Sequence, residues 1–194
     1  TSGFRGIIGE NFNKENVQRV AYALAMLISK EKIEKPIIDV GYDNRFMGDF
    51  FAKWVIEVLI SYKIDVNFFE KSLPTPVIGF ISKKHTFGIV LTASHNPYYY
   101  NGIKIIKDGG EIPDSFAQKI EKIANAVKFS KIKTTAYEDG ISQKKICLVN
   151  NYEDYIKSVL SYINKKSICD YNPKILFNSM HGNSSMVIKE ICKK

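Results

Sequence analysis

The chain has few cysteines and no long hydrophobic run, and both shortages restrict what it can be. Its 194 residues include three cysteines, Cys147, Cys169 and Cys192, which lie far apart and form no C-x-x-C pair. This usage argues against a disulfide framework or a zinc site and fits a reducing cytoplasm. The longest apolar tract, residues 20–28, falls short of the roughly 18 residues that a membrane span needs. Nothing resembles a signal peptide, so we expect a cytoplasmic protein without a membrane partner.

The sequence also lacks a concentrated basic stripe, although its net charge is +8. A positive charge of this size raises the possibility of nucleic-acid binding. The lysines, however, are scattered singly or in pairs, and the aromatic residues mostly occupy apolar, core-facing spacings. We therefore expect no nucleic-acid partner, although the positive field would attract a small phosphorylated ligand.

Strand and helix patterns alternate along the chain, which indicates an α/β fold. Asn13 is predicted to cap a helix over residues 14–30, Asp49 a second helix, and Thr75, with Pro76 at the first helical position, a third. Gly102 is expected at a positive-φ turn that returns the chain as a hairpin. The remaining predicted elements are strands at residues 4–8, 37–40, 64–69, 88–92 and 102–106, and a helix at 113–127.

The periodicity loosens between residues 128 and 150, where we place a domain boundary. Residues 1–148 form the first predicted domain and residues 149–194 the start of a second, similar α/β domain. The second part is predicted to contain a helix at 151–163, a strand at 174–178, and a turn at 180–182 leading into a helix that ends at 194. These elements are too few to bury their own apolar faces, so we expect an incomplete domain.

Ser94 stands out as a candidate reactive group. It lies in Thr92-Ala93-Ser94-His95-Asn96-Pro97, directly after a buried apolar run. Loops at strand ends are where α/β sheets place reactive groups, so Ser94 is predicted to be a nucleophile or phosphate carrier. A purely structural polar turn is the alternative, since serine and Asn-Pro suit turns. A Ser-His-Asp hydrolase is excluded because adjacent side chains on an extended chain diverge and no G-x-S-x-G is present.

Four motifs occur in a fixed order along residues 1 to 110. They are Thr1-Ser2-Gly3-Phe4-Arg5-Gly6, Gly41-Tyr42-Asp43-Asn44-Arg45, Leu73-Pro74-Thr75-Pro76, and the Ser94 loop followed by Asn101-Gly102-Ile103-Lys104. In kind and order they resemble motifs of the α-D-phosphohexomutases, the phosphoglucomutase and phosphomannomutase family. The resemblance implies a mixed sheet layered between helices.

The resemblance also implies an activity and residue roles. The family consists of intramolecular phosphotransferases of the isomerase class, which interconvert hexose 1-phosphates and 6-phosphates through a phosphoserine and a 1,6-bisphosphate intermediate. Ser94 would carry the phosphoryl group, Lys104 would act in proton transfer or charge neutralisation, and Arg5 would hold phosphate oxygens or move a proton near the sugar. The predicted phosphate-binding residues are Thr1, Ser2, His95 and Asn96.

Three further assignments concern residues outside the proposed catalytic and phosphate-binding set. Asp43 and Arg45 form either an internal ion pair that braces the loop or a substrate contact. His181 is interpreted as a turn residue, and His85 as an exposed one.

The family's Mg²⁺ is bridged by the serine phosphate and the aspartates of a D-G-D-x-D-R loop, and this chain contains no such loop. Ser94 alone cannot supply the octahedral oxygen set that magnesium prefers. We therefore expect the N-terminal portion of a mutase, inactive alone, that acts with the remaining domains, a hexose phosphate substrate, Mg²⁺ and a glucose 1,6-bisphosphate-type activator.

Two alternatives stay open. Ser2 favours the glucose and mannose enzymes over the phosphoglucosamine mutases, which tend to carry aspartate there. A non-catalytic homologue acting as a binding module is the second alternative.

Overall fold

A computed structural model describes residues 3–171 and 173–193. The predictions for Thr1 and Ser2 lie outside the described residues. The strands are β1 (Phe4–Ile7), β2 (Ile37–Tyr42), β3 (Asp65–Phe69), β4 (Phe87–Leu91), β5 (Tyr100–Lys107), β6 (Gly110–Glu111) and β7 (Ile146–Val149). The helices are α1 (Lys14–Lys30), α2 (Gly48–Ser61), α3 (Thr75–Ile81), α4 (Asp114–Ala126), α5 (Tyr137–Ser142), α6 (Glu153–Ser161), α7 (Lys165–Tyr171) and α8 (Ser185–Cys192).

The strands form one mixed sheet in the order β1-β5-β4-β2-β3-β7, with β6 paired to β5. The strands β4, β2, β3 and β7 are mutually parallel, whereas β5 is antiparallel to both β4 and β1. The mixed α/β fold predicted from the sequence is confirmed. Because β2, β3 and β4 run in one direction, the loops that follow them meet at a single edge of the sheet.

Helices cover both faces of the sheet. One apolar cluster joins the sheet to α1, α2 and α4, and a second joins it to α3, α6 and α8. The central side chains are inaccessible to solvent, as Phe51 and Ile56 show. Burial of one such side chain contributes about 1.5–3 kcal/mol, so these two clusters provide the main stabilisation of the fold.

Several local predictions are correct. Asn13 caps α1, because its Oδ1 accepts a hydrogen bond of 3.0 Å from the main-chain N–H of Asn16. The strands and helices predicted between residues 4 and 127 are all present, with ends shifted by a few residues. None of the helices in the described part of the chain is long and apolar enough to cross a membrane.

Two predicted helix caps are wrong. Asp49 lies inside the first turn of α2, and the chain enters this helix through Met47, which has a left-handed φ of 59° and provides no side-chain cap. In that turn the carboxylate of Asp49 lies near the positive end of the helix dipole. Thr75 is the first residue of α3, and Pro74 precedes it as the capping residue.

The role predicted for Gly102 is also wrong. Gly102 lies within β5, paired with Arg5 of β1, and does not have a positive φ. The positive φ in this hairpin belongs to Ser94, at 54°. The chain does return as predicted, since β4 and β5 pair in antiparallel fashion.

The C-terminal part differs most from expectation. The strand predicted at residues 174–178 is not formed, and none of the described strands pairs with this segment. Helix α7 was not predicted, whereas the turn at residues 180–182 is present before α8. The segment predicted to be irregular contains α5 and β7, and β7 extends the sheet by pairing with β3. The domain boundary itself stays a prediction.

Candidate active site

Ser94 lies in the loop between β4 and β5, at the edge of the sheet where β2 and β3 also end. Its side chain is exposed, and its main-chain N–H donates a hydrogen bond of 3.0 Å to Oγ1 of the buried Thr92. A left-handed conformation costs a non-glycine residue about 1–3 kcal/mol. The surrounding contacts must therefore hold the loop in this shape.

Ser94 shares one cleft with Arg5 and Lys104. The cleft has a volume of about 480 Å³ and includes the start of α3 and the turn around Gly109 in its wall. In the strand pairing Arg5 lies opposite Gly102, and Lys104 is two residues further along β5, so both side chains project from the same face. The structure thus brings together the three residues predicted to be catalytic, while their roles stay predictions.

Both cations already have partners in the protein. Arg5 donates from Nη1 to Oδ1 of Asn96 over 2.5 Å, which ties β1 to the serine loop. The ammonium group of Lys104 pairs with the carboxylate of Glu111. Glu111 was not identified from the sequence. The available signal was Gly109, because a glycine favours a tight turn. In the structure Gly109 has a φ of 80°, and the turn directs the residues after it back toward β5.

His95 is exposed next to Ser94, and its Nδ1 lies 3.5 Å from Ser94 Oγ. The expectation that the two side chains diverge is wrong, because Ser94 is left-handed and the chain is not extended there. Among the residues that the structure describes, no carboxylate contacts His95. A hydrolase triad is therefore not assembled in this part of the chain.

Gly102 allows the chain to pack closely beside the reactive loop. A Cβ atom at this position would lie 2.6 Å from the main-chain oxygen of Thr92 and 2.7 Å from that of Phe4. Only hydrogen fits in that space, so the glycine is required for steric reasons.

Arg45 contacts the serine loop from the neighbouring β2–α2 loop. Its Nε lies 3.6 Å from Oδ2 of Asp43, and its Nη groups donate to four main-chain carbonyls of the serine loop. Of the two roles considered for this pair, the structure shows the internal ion pair.

Two histidines outside the cleft have structural contacts. His85 is not simply exposed as predicted: its Nδ1 lies 2.7 Å from Oδ2 of Asp39, which is fully buried and whose Oδ1 accepts a bond of 2.9 Å from Asn67. The sequence offered one indication of these contacts, because Asp39 is a charged residue inside the apolar strand predicted at residues 37–40. His181 lies in a turn, where its carbonyl accepts a bond of 3.4 Å from Asn44.

Tyr42 supports the same edge of the sheet. Burial raises the pKa of its hydroxyl, and the nearby Asp49 and Glu70 raise it further. The hydroxyl donates a hydrogen bond to the main-chain carbonyl of Glu70, which joins the ends of β2 and β3.

The described residues do not form a magnesium site on their own. No three histidine, cysteine, aspartate or glutamate side chains among residues 3–171 and 173–193 lie close enough to hold a metal ion. The charged side chains that share the cleft with Ser94 are Arg5, Lys104 and Glu111, and the carboxylate of Glu111 is paired with Lys104. Ser94 contributes a single oxygen, which does not satisfy magnesium.

Comparison with known proteins supports one family. Residues 1–131 match the family model described as phosphoglucomutase/phosphomannomutase, alpha/beta/alpha domain I. A phosphoglucosamine mutase of Thermotoga maritima is 38% identical over 123 residues, covering 63% of this chain and 27% of the relative. A phosphoglucomutase of Staphylococcus aureus is 27% identical over 203 residues, covering 100% of this chain and 36% of the relative.

A solved structure agrees in fold. The open form of pp63/parafusin from Paramecium, a phosphoglucomutase, has a TM-score of 0.79 at 21% identity, covering 99% of this chain and 40% of that one. The chain thus spans between 27% and 40% of the length of these three proteins. Because the family model extends over Arg5, the Ser94 loop and Lys104, the chain belongs to the phosphoglucomutase/phosphomannomutase family, and residues 1–131 correspond to its domain I.

Proposed function

We propose that this chain provides the phosphoserine-bearing domain of a phosphohexomutase, an isomerase that interconverts hexose 1-phosphates and hexose 6-phosphates. The observation that supports this most strongly is the shared cleft of Ser94, Arg5 and Lys104. A hydroxyl at the edge of a sheet, with two cations from different strands beside it, is suited to carrying a phosphoryl group.

The reaction begins with a phosphoryl group on Ser94 Oγ. As the P–Oγ bond breaks, a hydroxyl oxygen of the hexose monophosphate forms the new bond to phosphorus. The proton of that hydroxyl passes through Lys104 to Ser94 Oγ, which leaves a neutral serine and a hexose 1,6-bisphosphate. Transfer of the other phosphoryl group from the bisphosphate back to Ser94 restores the phosphoserine and releases the isomeric monophosphate.

Arg5 and Lys104 provide the positive charge for this transfer. Phosphoryl transfer depends mainly on positioning and on neutralising the charge that spreads over the transferring oxygens. The guanidinium of Arg5 can bind two oxygens in one plane, and its bond to Asn96 holds it next to the loop. The hydrogen bonds proposed from Thr1, Ser2, His95 and Asn96 to phosphate oxygens belong to the same proposal.

Turnover is expected to require groups beyond the described residues. We propose that Mg²⁺, a hexose 1,6-bisphosphate activator and further mutase domains are needed, because Ser94 has no carboxylate cluster beside it in the part of the chain that the structure describes. Residues 1–194 alone are therefore expected to be nearly inactive.

Two groups of substrate are considered: glucose and mannose phosphates in the first group, and glucosamine phosphates in the second. The similar proteins include both a phosphoglucomutase and a phosphoglucosamine mutase, and Ser2 favours the first group.

The test uses the protein expressed from its complete reading frame. Glucose 1-phosphate, mannose 1-phosphate and glucosamine 1-phosphate are supplied with Mg²⁺ and the matching 1,6-bisphosphate, and intact mass measures phosphorylation at Ser94. Ser94→Ala should lower turnover by about 10³-fold or more and abolish the phosphorylated species. Ser130→Ala, at an exposed serine far along the chain, is the matched control and should change neither.

Wild-type protein with a permanently unmodified Ser94 and no turnover on any of the three sugars would overturn the proposal. It would favour the non-catalytic binding module.

A further inference from the structure

Arg45 binds the serine loop through four main-chain carbonyl groups. Nη1 donates to the carbonyls of Pro97 at 2.8 Å and Tyr100 at 3.0 Å. Nη2 donates to those of Ser94 at 2.7 Å and Asn96 at 2.6 Å. One guanidinium thus contacts the loop from Ser94 to the start of β5.

Arg45 is itself held firmly. The main-chain N–H of Arg45 donates a hydrogen bond of 3.0 Å to Oδ1 of Asp43, and Oδ2 of the same carboxylate lies 3.6 Å from Nε of Arg45. The main-chain N–H of Asp43 donates in turn to the carbonyl of Leu91, at the end of β4, over 3.0 Å. The side chain of Arg45 is 13% exposed, so most of it is shielded from water.

Four of the five N–H donors of this guanidinium are used by the serine loop. A guanidinium has five N–H groups, four of them on the two Nη atoms. The four carbonyls match the four Nη hydrogens, and Nε faces Asp43. Arg45 consequently has no Nη donor left for a substrate phosphate while the loop holds this shape, and its Nε lies beside the carboxylate of Asp43.

The contacts also determine what the loop presents to an anion. In a trans peptide the carbonyl and the following N–H point in opposite directions. With the carbonyls of Ser94 and Pro97 directed at Arg45, the N–H groups of His95 and Tyr98 point away from it. No acceptor within the described part of the chain takes these two N–H groups.

We infer that Arg45 is a positioning residue for phosphoryl transfer at Ser94, an inference that rests on the proposed function. It binds the carbonyl oxygens that would repel a phosphate and keeps Ser94 in its left-handed conformation. The phosphate therefore meets the side chain of Ser94 and outward N–H donors. Arg45 acts through the loop and does not touch the substrate.

The first test measures the loop directly and does not depend on any activity. The amides of Ser94, Asn96 and Tyr100 are hydrogen-bonded inside the loop, so their hydrogen exchange reports its opening. In Arg45→Lys and Arg45→Ala these amides should exchange at least about tenfold faster, while amides of β2 and β3 keep their rates. Lysine retains the charge but offers a point donor that cannot span four carbonyls. Unchanged exchange in both variants would overturn the inference.

The second test measures catalysis in the protein from its complete reading frame. Arg45→Ala should lower kcat about 100-fold with KM within about threefold, because ground-state binding is not its role. Free guanidinium ion should restore part of the rate to Arg45→Ala and none to Ser94→Ala. Arg19→Ala, which removes an arginine paired with Glu15 on α1, is the matched control and should change neither constant.

The outcomes separate the two proposals. Faster exchange with an unchanged kcat would overturn the positioning role, and a rise confined to KM would make Arg45 a substrate ligand instead. Absence of turnover and phosphoserine in the wild type would defeat the proposed function, whereas the exchange result would still report on the contact between Arg45 and the loop.

Discussion

Residues 4–149 and the described part of residues 151–193 bury their apolar side chains to very different extents. In the first region Phe51 is 1% exposed and Ile56 fully buried, whereas in the second Leu176 is 95% exposed and Tyr162 is 89% exposed. The first region has a sheet on which helices of both faces pack. The second has helices α6, α7 and α8 but no strand among its described residues.

The difference shows how far a local pattern depends on a neighbouring layer. Helices α6 and α8 bury Ile156 and Val187 beside α3, and their other apolar side chains remain partly open to solvent. A strand was predicted within the segment 173–179, but a strand is stable only when it pairs with another strand or packs against a helix. None of the described strands pairs with this segment, and it remains irregular.

The largest expected contrast between the two regions is in proteolysis. Chymotrypsin should cut after Leu176 or Phe177 at least about 100-fold faster than at any site within the strands and helices of residues 4–149, since exposed irregular backbone opens at little cost. Mass spectrometry of the first products measures this. The double variant Leu176→Ser, Phe177→Ser should lose the early cut, and a first cut inside the sheet would contradict the comparison.

A matched pair of phenylalanine substitutions should differ strongly in stability. Phe51→Ala should lower the free energy of unfolding by about 3–5 kcal/mol, because it leaves a cavity in the main core. Phe177→Ala, at a side chain that is 46% exposed, should change it by less than about 0.5 kcal/mol. Urea unfolding followed by circular dichroism measures both, and equal losses would show that the second region is packed as well as the first.

The smallest expected effect concerns a half-buried carboxyl in the first region. Burial raises the pKa of Glu57 above its ordinary value of 4.5; Lys14 opposes this rise and Glu138 adds to it. The folded state therefore holds the proton more tightly than the unfolded state does, so the free energy of unfolding falls as pH rises from about 4.5 through the folded pKa. Glu57→Gln should remove that fall and stabilise the protein at pH 7 by less than about 1 kcal/mol, because solvent still screens the group.

Urea titrations between about pH 4 and pH 8 would measure this effect. Glu121→Gln, on the exposed side of α4, controls for the loss of one acidic charge. A steeper fall in stability with rising pH in Glu57→Gln than in the wild type would show that the pKa of Glu57 is shifted in the opposite direction.

Features determined by nearby residues could be predicted from the sequence. The cap at Asn13 depends on a hydrogen bond from the main-chain N–H of Asn16, only three residues further along the chain. The strand, loop and strand around Ser94 are likewise formed by one continuous stretch of sequence. The apolar periodicities of β2 and β4 were sufficient to indicate a sheet whose edge carries Ser94.

Features determined by distant residues could not be predicted. The pairing of His85 with Asp39 joins residues 46 positions apart, and the requirement for glycine at position 102 comes from main-chain oxygens on two other segments. The four contacts of Arg45 follow from the way two loops meet at one edge of the sheet, which a residue's own neighbours do not reveal.

The tight fit at Gly102 has a consequence for how this protein could be redesigned. Since main-chain oxygens leave no room on the inner side of the hairpin, no substitution at position 102 can add a new functional group there without displacing the backbone. In the loop of the same hairpin the side chain of Tyr98 is 86% exposed and that of Tyr99 is 45% exposed. Changes in ligand preference are therefore easiest to introduce through these exposed aromatic side chains, while position 102 has to remain glycine.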